Sequence, residues 1–331
     1  MKHLRLRYFH LVSAATVLGV IAIIVAASSG QPARAQSAKT IKIIVPFPAG
    51  GNTDTLARLL GEQIGRAQGL TMLIENRPGA ATVIATEAVA RAAADGNTLL
   101  INAGGFVTNP HVRKVNYDPL TSFQPVCSLA SVPTAIVVNN ASPYRTLADL
   151  LDAARARPGD LTWASTGTAN GNQIVFEMLR RAADVNMTYV PYPGGAPVVT
   201  AVLGGHVTAA LVDYAAFAEH LRTGMLRVLA TASRTRIAPL PELPTVAESG
   251  FRDIEYEVWN GLFAPARTPK ETVSRLAGWF TAALQAPEVR AKLAAQGYAP
   301  VGMCGAEFSE FIRKQYETFG RVIREANIKA E

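Results

Sequence analysis

Short apolar, β-branched runs alternate along most of the chain with amphipathic stretches rich in Ala, Leu and Arg. Residues 41–45, 71–75, 98–102, 134–138 and 162–164 have the length and composition of strands, as do 187–190, 207–212 and 226–231. Apolar positions three and four residues apart predict helices over about 53–67, 81–93, 147–156, 172–183, 197–203 and 215–223. This alternation predicts an α/β fold of mostly parallel sheets flanked by helices, with ligands beyond the carboxyl ends of the strands. Residues 269–330 read as mainly helical.

The sharpest local pattern lies where the first strand ends. The run Ile41-Lys42-Ile43-Ile44-Val45 breaks into Pro46-Phe47-Pro48-Ala49-Gly50-Gly51, and a helical pattern with Asp54 in its first turn follows. Two glycines permit a tight turn and close backbone approach, and the free amides of the next helix point into its mouth, which outlines an anion site. An ordinary strand-to-helix connection has the same composition. Two later turns repeat the arrangement. Ser165, Thr166, Gly167, Thr168 and Asn170 cluster before one helix, and Tyr192 and Gly194 lie in a Pro-Gly turn before another. Capping and turn formation explain the same residue types.

The first 35 residues have the form of a secretion signal: basic Lys2, Arg5 and Arg7, an apolar stretch over 11–27, and Ala33-Arg34-Ala35 as a cleavage site. An uncleaved membrane anchor is the alternative, with an apolar run near the short end for a bilayer span. Cleavage near Ala35 lowers the formal charge from +7 to about +3, which leaves no basic footprint for nucleic acid. The only cysteines, Cys127 and Cys304, are expected either to pair in an oxidising compartment or to remain buried thiols. No metal-ligand spacing occurs, and no metal or cofactor is expected.

Longer stretches in order, beginning with Val45-Pro46-Phe47-Pro48-Ala49-Gly50-Gly51 and Asp54, resemble the tripartite tricarboxylate transporter receptors, the Bug-type periplasmic solute-binding proteins. Glu75-Asn76-Arg77-Pro78-Gly79, Tyr117-Asp118-Pro119, Val190-Pro191-Tyr192, Pro244-Thr245-Val246-Ala247-Glu248 and Trp259 with Gly261 continue the similarity across the chain beyond the signal sequence. The resemblance implies a two-lobed binding protein that closes on a small organic carboxylate and passes it, as a monomer, to tripartite transporter membrane subunits in the periplasm. Lobe one would comprise residues 37–138 with 260–331, and lobe two residues 139–259.

Carried onto this sequence, the ligand site would involve Phe47, Pro48, Ala49, Gly50, Gly51, Asp54 and Gly104 of the first lobe. Ser165, Thr166, Gly167, Thr168, Asn170, Tyr192, Gly194 and Asp213 would face them from the second. Asp213 matches a position where some relatives meet an amino group, and a helix N-cap is its other reading. The sequence departs from the family after Gly79-Ala80, where Ala81-Thr82 replaces further glycines. A secreted enzyme acting on a small carboxylate is the competing class. Past residue 35, however, the only histidines are His111, His206 and His220, and no nucleophile-elbow, zinc-protease or phosphate-loop motif is present. The expectation is a binding protein without catalysis.

Overall fold

The computed structural model describes residues 40–329. The expected signal sequence and its cleavage site lie outside the described residues. The chain opens with β1 (Thr40–Val45), whose Ile41, Ile43 and Val45 enter one core while Ile44 enters another on the opposite face, the period-two division of a strand buried on both sides. Helix α1 (Asn52–Gln68) buries Leu56, Leu59, Leu60 and Ile64 and stops at left-handed Gly69. Strands β2 (Thr71–Asn76) and β3 (Thr98–Asn102) pair with β1 in parallel, with α2 (Val83–Ala90) between them.

Helix α3 (Gly105–Val112), which contains Pro110, was not legible in the pattern. Tertiary packing makes it: Phe106 stacks on Phe263 with ring centroids 4.1 Å apart, and Asn109 Nδ2 donates to the Ala81 carbonyl at 2.6 Å.

Strand β4 (Phe123–Asn139) organises the remainder. Its residues 123–133 pair antiparallel with β9 (Glu257–Pro265), and its residues 134–139 pair antiparallel with β7 (Ala209–Asp213) and β8 (Leu226–Thr231). Only its second part was expected as strand. Pro125 and Pro133 disguise the first part, where bulges interrupt the pairing with β9 near Pro125 and Ser128.

Strands β5 (Thr162–Thr166), β6 (Thr188–Tyr192) and β7 form a second parallel run, so the ten-stranded sheet reads β2-β1-β3-β9-β4-β7-β5-β6, with β8 and β10 (Ala299–Cys304) also on β4. The expected parallel runs are joined by antiparallel strands that the alternation did not signal. Helices α4 (Leu147–Ala156), α5 (Gly171–Ala182), α6 (Gly195–Leu203) and α7 (Tyr214–Arg222) accompany the second run. Helices α8 (Lys270–Gln285), α9 (Pro287–Ala295) and α10 (Ala306–Glu325) close the chain around β10, a strand unexpected in the helical tail. Cys127 and Cys304 stand opposite each other on β4 and β10, with Cα atoms 4.0 Å apart, and form a disulfide.

Candidate functional site

The first loop is held by its own aspartate. Asp54 is only 2% exposed and accepts the Gly50 amide at 2.8 Å, Arg58 Nε at 2.9 Å and Asn76 Nδ2 at 2.9 Å. Burial pushes a carboxyl up, but these donors outweigh it and hold Asp54 below its ordinary range. Asn76 also donates to the Phe47 carbonyl at 3.1 Å, which ties the loop to the end of β2. Gly50, at φ +81°, needs glycine; Gly51, at φ −72°, is free of that backbone strain, though a Cβ there would stand 3.3 Å from the Pro48 carbonyl oxygen. Gly51 occupies the N-cap of α1 without a side chain to bond the helix amides, and its own N–H turns to the Pro48 carbonyl at 3.3 Å. The N–H groups of Asn52 and Thr53 are therefore left without a side-chain cap, at a lip of exposed Pro48, Ala49 and Gly50. Gly104, after β3, likewise heads α3 without a side-chain cap.

In the second group most side chains serve the loop itself. Ser165 is fully buried and donates to the Leu211 carbonyl at 2.8 Å. Gly167 donates its amide to the Tyr192 carbonyl at 2.9 Å and accepts the Tyr189 hydroxyl at 2.7 Å. Asn170 caps α5 by accepting the amides of Asn172 and Gln173, while its Nδ2 donates to the Thr166 carbonyl at 2.7 Å. Thr166 Oγ1 accepts Asn172 Nδ2 at 2.6 Å. Thr168 and Tyr192 keep their hydroxyls without a partner among the described residues. Gly194 begins α6, again without a side-chain cap.

Asp213 stands at the N-cap of α7 but accepts nothing from that helix, so the capping alternative fails for its side chain. Its Oδ1 is buried without a partner, and burial pushes the carboxyl up to about 6. Asn172 Oδ1 is a second orphaned acceptor at the start of α5.

A row of residues not anticipated from sequence links these loops. Thr53 donates its hydroxyl to Asn260 Oδ1 on β9 at 2.8 Å. The Tyr298 hydroxyl lies near the same asparagine; burial raises its pKa, and the charge of Asp213 adds to the rise. Buried Tyr256 also feels Asp213, and its ring leaves no room for a Cβ on Gly171, the first residue of α5. Gly297 lies against Ala215 of α7, where a Cβ would come within 2.8 Å of the alanine Cβ. The starts of α1, α5 and α7 thus gather around Asn260, Tyr256, Tyr298 and Asp213. Asn260, between Trp259 and Gly261, lay in a family-like stretch; Tyr298 carried no local signal.

This arrangement offers backbone donors at helix starts and a few hydroxyls to a small anion, with one buried carboxyl beside them. Among the described residues no group of three or more His, Cys, Asp or Glu can hold a metal ion. No described helix is long and apolar enough to cross a membrane.

Residues 56–328 match the model of the tripartite tricarboxylate transporter family receptors. Protein BugT of Bordetella pertussis is 34% identical over 321 residues, which cover 95% of this chain and 98% of that protein. A Rhodopseudomonas palustris protein solved with adipate superposes with a TM-score of 0.71 at 32% identity, covering 88% of this chain and 98% of its own. MatC of the same organism, solved with bound malate, gives 0.68 at 28% identity, covering 86% and 98%. Solved members carry the two-lobed fold of periplasmic binding proteins, the architecture seen here. From the uncapped glycine turn to the full-length similarity, the chain belongs to the tripartite tricarboxylate transporter receptor family of periplasmic solute-binding proteins.

Proposed function

We propose that this receptor captures a small organic carboxylate between its two lobes and delivers it, as a monomer, to the membrane subunits of a tripartite transporter. The uncapped start of α1 at Gly51 carries this reading, because a carboxylate leaves water at acceptable cost only where fixed donors replace its hydration. The backbone amides of the Ser/Thr loop and the Thr168 hydroxyl complete the grip from the second lobe. Adipate and malate in two relatives agree with this chemistry.

The handover of β4 from β9 to β7 and β8 between Pro133 and Thr134 supports a lobe division close to residues 138 and 260. Export follows cleavage near Ala35, and binding is the whole of the chemistry.

A thermal-shift screen of mono-, di- and tricarboxylates, acidic amino acids and aromatic acids is expected to find ligands that raise the unfolding temperature by mass action. Gly51→Val, whose backbone is already extended, is expected to fold and to weaken the best ligand at least tenfold, about 1.4 kcal/mol. An unchanged dissociation constant in the folded variant removes α1 from the site.

A further inference from the structure

A cavity of about 720 Å³ lies among β4, β9, β10, α5 and α10, with Tyr256 on its lining. Its apolar wall comes from Met303 of β10, Phe311 of α10 and Met178 of α5, with Trp259 of β9, only 2% exposed, behind them. Trp259 is fixed there, its Nε1 donating to Gln315 of α10 at 2.8 Å. The wall therefore draws on both parts of the sheet, since α5 belongs with β5 to β7 while β9 and β10 pair with residues 123–133 of β4.

The rim is charged in both signs. Arg234, Arg252 and Arg321 line it and form no ion pair among the described residues; the same holds for Asp253, Glu257 and Glu307. Lys314 and Glu255, 3.8 Å apart, are the only oppositely charged rim pair within ion-pair distance among the described residues. Charges of both signs held near an apolar wall without neutralising one another suit a guest that brings one of each on an apolar body. A purely anionic guest would leave the acids unmatched, and an uncharged one would leave the whole rim unmatched.

We propose that this cavity is a second small-molecule site, bordering the carboxylate cleft at Tyr256, for an amphipathic zwitterion of the aromatic amino acid class. The aromatic body lies against Phe311, with Met178 and Met303 adapting to its outline as flexible thioether side chains do. The ammonium and carboxylate groups face rim charges of opposite sign. Because its wall includes Met178 of α5, the site is positioned to sense how the second lobe stands against β10 and α10.

Calorimetry on the full mature protein tests this with L-tryptophan as the probe. Saturable binding is expected, with indole-3-propionate and tryptamine, each lacking one charge, at least tenfold weaker. Val301→Trp fills the cavity from a position 40% exposed, and it is expected to weaken L-tryptophan at least tenfold. The rim double variant Arg252→Ala/Arg321→Ala, which needs no core change, is expected to do the same. Gly51→Val is expected to leave L-tryptophan binding unchanged. Absence of saturable binding to wild type, or wild-type affinity in both cavity variants, overturns the site. Loss of L-tryptophan binding in Gly51→Val moves the probe to the cleft and overturns it equally. Equal affinity for the singly charged probes overturns the zwitterion assignment.

Discussion

At the scale of single residues, the structure shows where the chain tolerates unfavourable states. Ala80, Ala81 and Thr82 follow one another at φ 44°, 50° and 82°, a left-handed run without glycine. Such a conformation costs an L-residue roughly 1–2 kcal/mol. Thr82 repays part of this through its contacts with Asn102 and Asn109, but the Ala81 side chain is a single methyl. Ala81→Gly is therefore expected to stabilise by about 0.5 kcal/mol after the entropy glycine adds to the unfolded chain. Urea unfolding checks it, and a destabilised variant would show that the turn is relaxed.

Asp213 is the second such residue. Its folded pKa of about 6 exceeds the ordinary 3.8, so the folded state binds the proton more tightly and stability falls as pH rises between those values. Half-buried His111, held below its ordinary 6.5 by desolvation, works in the opposite direction in part of that window, so the difference between two proteins is the useful readout. Asp213→Asn is expected to match wild type near pH 4 and to exceed it by roughly 2 kcal/mol at pH 7. A pH-independent difference would show that Asp213 is hydrated.

At the scale of elements, β4 bears the largest load, serving both parts of the sheet and fastened to β10 by the disulfide. The bond joins residues 177 apart, and closing so long a loop removes about 5 kcal/mol of unfolded-chain entropy on the chain-entropy model. Cys127→Ser/Cys304→Ser is expected to lose about 2–5 kcal/mol, measured by denaturant titration under oxidising conditions. An unfolding midpoint equal to wild type would refute that contribution. The same strand shows why elements differ in legibility. Helix α1 announced itself through apolar spacing, whereas α3 forms around Pro110 because Phe106 and Asn109 find partners far along the chain.

At the scale of the whole molecule, one continuous hydrophobic core runs through both parts of the sheet, and specific contacts add to it: Gly297 on Ala215, Arg181 paired with Glu325 at 2.8 Å, and Tyr256 over Gly171. A ligand gripped from both sides adds to these contacts and favours the closed arrangement. Small-angle scattering is expected to show ligand-induced compaction in wild type and less of it in Thr166→Val/Thr168→Val at equal occupancy. The double substitution removes the free hydroxyl of Thr168 and deprives Asn172 Nδ2 of its acceptor. Identical compaction in both proteins would remove those hydroxyls from closure.

The sequence alone determined the strand–glycine turn–helix unit at residues 41–58, the other Gly-containing loops after strands, the α/β class and the family, because each is written in local spacing or in ordered short motifs. Tertiary structure alone decided which of those loop groups remain free. Ser165, Gly167, Asn170 and Asp54 look like ligand residues by type, yet their polar atoms are engaged within their own loops and neighbouring strands. It also decided that Cys127 meets Cys304, that Asp213 caps nothing, and that Asn260 and Tyr298 join Thr53. The physical reason is range: propensity and spacing act over a few residues, whereas hydrogen-bond satisfaction and burial depend on partners brought from up to 207 residues away.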